Sequence, residues 1–260
     1  MIETWLNLPA FGIFALLTVL YAAGAAAIIW GSFGRRFGPS VQRMDGIVPP
    51  FFGAVGLLFA LMAGFLASDI SERNRQAVRV VQAETAELRN VFTLSVASKP
   101  DMRDIRAAWT DYIKAVTGAE WQAMLHGDSA PVAAQAYDKL LREVSDPGIV
   151  TEAGAAVHAA LVNAAIHIGT ARSERLALAS DSTNGLKWTI VLILGVMTQV
   201  SIGIVHLGKR NAQIGALTVF SLATVITLGL IAMQEYPFAG DVRLPPTPLQ
   251  DLLKLHGPAD

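Results

Sequence analysis

Residues 50–97 read PFFGAVGLLFALMAGFLASDISERNRQAVRVVQAETAELRNVFTLSVA. As far as Ser68 the stretch has no charged residue, and its apolar residues lie on every side. From Asp69 onward the apolar residues keep to one side, as Val78, Val81, Leu88, Val91 and Phe92, until Ser98 and Pro100. No breaker separates the two halves. The pattern predicts one helix on the order of 70 Å long, which crosses a bilayer and then runs on into water. Pro49 and Pro50 stand at its start, where a missing N–H does no harm.

Three more runs are long enough to span a membrane. Residues 9–30 and 212–233 carry no charge, and 186–207 carries only Lys187, next to its start. Between the second and third runs lies a stretch holding most of the charge. It predicts three helices. Residues 101–118 bring Ile105, Trp109, Tyr112, Ile113 and Val116 to one side. A second begins at Pro131 and ends at Pro147–Gly148. A third covers about Thr151 to Leu178 and returns the chain toward the membrane. The expected architecture is an all-α membrane protein. Residues 1–68 form a first transmembrane pair, 69–185 a helical stalk, 186–233 a second pair and 234–260 a Pro-rich tail with a short helix near Leu249 and Leu252. Ala22 to Ala27 imitate a signal-peptide cleavage region, but the positively charged segment that should precede it is missing, so the first run reads as a retained helix.

Composition removes several classes of function. Only 16% of residues are charged, against about 25% in soluble domains, and the deficit lies in the four runs. A formal charge of -1 offers no footprint for nucleic acid. There are no cysteines, which excludes thiol catalysis and thiolate metal sites. The histidines, at 126, 158, 167, 206 and 256, never fall four apart, so no metal is expected. No phosphate-binding glycine loop or nucleophile elbow is present, and neither an enzyme nor a cofactor is expected. The spans also lack the ionisable residue that a coupled pump commonly uses.

What remains is passive permeation or scaffolding. Phe52, Gly56, Phe59 and Ala63 are candidates for an apolar neck on the second span, with Phe65 a further ring candidate. Asp69 and Arg73, four apart where that helix leaves the membrane, read as a local ion pair or as vestibule charges. Gly53, Ala60 and Gly64 form a small-residue stripe suited to helix packing. Gln199, in hydrocarbon, needs a partner such as Thr218, Ser221 or Thr224. Trp109, Tyr112 and Trp121 are candidates for contact with an unidentified protein partner, against packing inside the stalk. Arg35, Arg36, Arg43, Lys209 and Arg210 in the short loops lean the stalk outward, although the stalk and tail carry comparable positive charge.

The layout resembles a bacterial bestrophin-like family of unknown function. The resemblance rests on VGLLFALMAGFLASDI, the helix around Arg79 and Glu84, and YIKAVTGAEW with Tyr112, Glu120 and Trp121. It extends to TARSERL with Arg172 and Arg175, and to EYPFAGDVRLPPTPL. It implies a bacterial inner (plasma) membrane protein and a homo-oligomer, a pentamer as in bestrophins, passing small inorganic anions. The second helix would line the pore, Phe59 would stand near the axis and the stalk would be cytoplasmic. The dense acidic clasp of the calcium-gated animal members is not in this sequence. The competing expectation is a non-conducting scaffold or sensor embedded in lipid.

Overall fold

The computed structural model describes residues 5–6, 8–44, 46, 49–98, 101–181 and 185–255. These are all-helical in their regular structure. The elements are α1 (Ala10–Phe33), α2 (Pro49–Ala97), α3 (Arg103–Ala115), α4 (Pro131–Val144), α5 (Ala155–Ser180), α6 (Gly185–Val205) and α7 (Arg210–Ala232). Short helical turns occur between α1 and α2, after α3, before α5 and in the tail. Four segments are long and apolar enough to cross a membrane: α1, the first part of α2, α6 and α7. The protein is a multi-pass membrane protein with a helical stalk between its second and third spans.

The described residues divide into two compact units. One takes residues 1–72 and 182–235, and here α1 packs against both α6 and α7. Glycines make the close approaches. A methyl group added at Gly195 would collide with the Tyr21 hydroxyl, and one at Gly229 with the Phe14 ring. Two amides tie the bundle internally. Gln199 Nε2 donates to the Tyr21 carbonyl (2.9 Å) and to Ser221 Oγ (2.8 Å). Gln213 Nε2 donates to the Gly203 carbonyl (2.7 Å) and to Ser32 Oγ (3.1 Å). Neutral donors suit hydrocarbon because their desolvation is far cheaper than that of an ion.

The other unit takes residues 73–181 and 236–260. Its core joins Leu88 and Val91 of α2, Trp109 and Tyr112 of α3, Leu140 of α4 and Leu161 and Ile168 of α5. The tail closes it, with Phe238, Leu249 and Leu252 buried. Two details depart from the periodicity. After α3 the chain makes a π turn over Val116–Glu120 before a last short helix, Trp121–Ala123. The extra residue in that turn brings Glu120 and Trp121 inward. The expected helix from Thr151 is broken at Gly154, which has φ +89°. That left-handed geometry suits glycine and ends the short helix Gly148–Ala153 before α5 begins.

Candidate functional site: the two sides of the second span

α2 runs unbroken from Pro49 to Ala97, so its faces stay in register along its length. At 3.6 residues per turn, Leu57, Leu61, Phe65, Ser68, Glu72, Arg75 and Arg79 share one side. That side is left open among the described residues. Leu57, Leu61 and Phe65 are 60%, 46% and 60% exposed, and Ser68, Glu72, Arg75 and Arg79 are exposed as well. The opposite side carries Ala63, Leu66, Ile70, Ala77, Val81, Glu84 and Leu88, all buried.

The neck candidates read from the sequence fall on the other side of the helix. Phe52, Gly56, Phe59 and Ala63 lie on the covered side. Ala63 is buried, and the other three are half-buried. The Phe59 ring meets Phe220 of α7 edge-on at 5.8 Å. Of the phenylalanines singled out as ring candidates, only Phe65 is on the open side. The small-residue stripe meets no neighbour within the chain among the described residues. Gly53, Ala60 and Gly64 are exposed, and a methyl group at Gly53 or Gly64 would touch nothing within 4 Å. Packing inside the chain uses Gly195 and Gly229 instead. A span that is apolar all round has no moment to say which side its neighbours take.

The charges where α2 leaves the span are sorted by partner. Asp69 pairs with Lys187 of α6, and Arg73 pairs with Asp181 at 3.4 Å. Each bridges segments far apart in sequence, in place of the local Asp69–Arg73 pair expected from their spacing. Glu84 is buried. The exposed side just beyond the span carries Glu72, Arg75 and Arg79, two basic residues and one acidic one.

Behind these residues the covered side of α2 is held by a buried ionic network that the sequence did not reveal as a unit. Arg175 of α5 is fully buried. Its Nε donates to Glu84 Oε2 at 2.7 Å and its Nη2 to Glu84 Oε1 at 3.2 Å and Glu120 Oε1 at 2.9 Å. Its Nη1 reaches Met124 Sδ at 2.8 Å, and its guanidinium lies 5.3 Å from the Trp121 ring centre. Arg172 donates from Nε to both Glu120 oxygens at 3.1 Å. The Tyr112 hydroxyl donates to Glu84 Oε1 at 2.6 Å. Two carboxylates and two guanidiniums balance. Burial disfavours the Arg175 charge, but Glu84 more than offsets it and holds the guanidinium above its ordinary range. Burial, followed by the Glu84 charge, pushes the Tyr112 phenol well above its usual value.

The stalk aromatics are buried in the core of the stalk. Trp109 and Trp121 are nearly sealed and Tyr112 is completely so. Trp109 Nε1 donates to the Leu88 carbonyl at 2.8 Å. Trp121 donates to the Leu244 carbonyl at 3.2 Å and meets Phe238 edge-on at 5.7 Å. Among the described residues no three His, Asp or Glu side chains group as metal ligands; His256 lies outside them.

A family model for the bestrophin-like domain matches residues 19–249. The chain belongs to the bestrophin-like family. None of the curated proteins matches its sequence. Among solved structures, a variant of the bacterial bestrophin homologue of Klebsiella pneumoniae is 14% identical with a TM-score of 0.65, over 94% of this chain and 96% of that one. The same homologue, phased on zinc, gives 14% identity and a TM-score of 0.64, over 94% and 98%. A variant described only as a membrane protein gives 12% and 0.70, over 95% and 97%. At these identities the likeness is one of fold, and it extends over nearly the full length of each chain.

Proposed function

We propose that this bestrophin-like protein is a homo-oligomeric ion channel of the bacterial inner membrane, with the open side of α2 around the axis and the stalk in the cytoplasm. Leu57, Leu61 and Phe65, one turn apart, form the apolar neck. A constriction of this kind gates by excluding water. Arg75 and Arg79 stand on the same helix side beyond it and raise the local concentration of anions, which are the favoured ions. Five copies, as the bestrophin resemblance implies, multiply that charge around one axis.

One observation carries the reading: a single helix leaves an apolar strip uncovered through the span and a basic strip uncovered beyond it. Lipid alone accounts for the apolar strip, since a lone span exposes such residues to hydrocarbon. It does not account for the alignment of both strips on one unbroken helix. The scaffold reading loses support, because the aromatic contacts it needed are buried in the stalk.

Anion efflux from liposomes containing the purified oligomer tests the proposal. Arg75→Glu with Arg79→Glu is expected to shift permeability from chloride toward sodium. Selectivity unchanged by this double reversal in a conducting oligomer contradicts the role of the strip. Absence of flux of either ion in an intact oligomer contradicts the channel.

A further inference from the structure

The stalk holds a second feature that the channel reading leaves unused. A cavity of about 320 Å³ opens between α2 and α5. Glu87 and Asn90 of α2 face Asn163 and His167 of α5 across it, over a floor that includes Leu94 and Ala164. The spacings, three residues in α2 and four in α5, put each pair on one helix side. Asn90 Nδ2 donates to Glu87 Oε2 at 3.1 Å. That bond uses one of the amide's two N–H donors and leaves its carbonyl oxygen as an acceptor. Neither that oxygen nor Glu87 Oε1 is satisfied by another protein group among the described residues, and the side chains of Asn163 and His167 have no protein hydrogen bond there either. The wall contains one carboxylate and no Lys or Arg.

We propose that this cavity binds a small primary ammonium ion. A protonated amine has three N–H donors and one charge. Glu87 supplies the opposite charge, and the carbonyl oxygens of Asn90 and Asn163 supply two further acceptors. The carbon chain of the amine covers Leu94 and Ala164. The volume lies at the low end of small-molecule sites, about 300–1,000 Å³. An anion meets Glu87 with repulsion and no compensating cation. A divalent transition metal prefers three or more carboxylate or imidazole ligands, and only two such side chains line the wall. The site stands independently of ion conduction.

Isothermal titration of the full-length protein in detergent, with n-butylammonium as the probe and acetate and zinc chloride as comparisons, tests the proposal. Saturable binding of n-butylammonium but not acetate is expected. Glu87→Gln should weaken it roughly tenfold or more, because the ammonium loses its counter-charge. Asn163→Ala should weaken it several-fold, whereas Lys139→Ala, in a separate groove, should leave it unchanged. No saturable n-butylammonium binding to the wild type overturns the site. So does undiminished binding by Glu87→Gln in a variant that keeps the wild-type melting temperature and oligomeric size. Zinc binding that depends on His167, without n-butylammonium binding, assigns the cavity to a metal and equally overturns the proposal.

Discussion

Leu88 and Leu61 lie on the same helix about seven and a half turns apart, and they have opposite surroundings. Leu88 is sealed among the stalk helices, while Leu61 is 46% exposed. The contrast extends along α2. Its covered side is fastened by Phe59 against Phe220, by Glu84 against Arg175 and by the apolar stalk core. Its open side stays exposed from Leu57 to Arg79. The covered side therefore sets how α2 is held, and the open side is what a held helix presents. Substitutions on the first should be read out as lost stability, and on the second as altered conduction.

The largest stability loss should follow Glu84→Ala. It leaves Arg175 buried with its main counter-charge gone, a change worth about 3–5 kcal/mol in comparable buried pairs. Chemical unfolding in detergent measures it. A loss near that of an exposed ion pair, below about 1 kcal/mol, would mean that water reaches the network. Leu88→Ala should cost about 2–5 kcal/mol through lost burial and a cavity, whereas Leu57→Ala on the open side should leave the unfolding of the isolated chain almost unchanged. Comparable losses at the two positions would erase the distinction between the sides.

A smaller effect sharpens the contrast at high pH. The phenol of Tyr112 is held above its ordinary value of about 10. Its contribution to stability is complete below the unfolded value. As pH rises beyond about 10, the unfolded state releases the proton first and that contribution is lost. Stability of the wild type should thus fall more steeply there than that of Tyr112→Phe, by up to about 1.4 kcal/mol per pH unit. Parallel curves would show that the phenol ionises as easily in the folded stalk as in the unfolded chain. The smallest effect is the coupling of Phe59 and Phe220. A double-mutant cycle with alanine should give about 0.5–1.5 kcal/mol, and additivity would deny the edge-on contact.

Much of this arrangement was legible in the sequence. The four spans followed from uncharged length, and the unbroken α2 from the absence of a breaker after Asp69. The side of α2 that faces its neighbours was not legible. Between Pro50 and Ala67 the helix is apolar all round, and only the placement of α7 shows that Phe59 is covered. The stalk network had a readable trace. Glu84 lies in line with Val81, Leu88 and Val91, and Arg175 in line with Ile168, Ala171 and Leu178. A charge placed in an apolar stripe calls for a buried partner. The identity of that partner was beyond reach, because Glu84 and Arg175 are 91 residues apart and Glu120 reaches them through a π turn that helical periodicity does not foresee. The break at Gly154 was missed because a single glycine within a helical pattern is often tolerated.

The central claim is that the open side of α2, not its covered side, lines the conduction path. Single-channel recording of the reconstituted oligomer should compare Leu61→Ala with Phe59→Ala at matched protein density. The account predicts that Leu61→Ala raises open probability or conductance by widening the neck, while Phe59→Ala changes them little in channels that remain assembled. Altered conductance in Phe59→Ala alongside an unchanged Leu61→Ala would place the covered side at the axis and contradict the account.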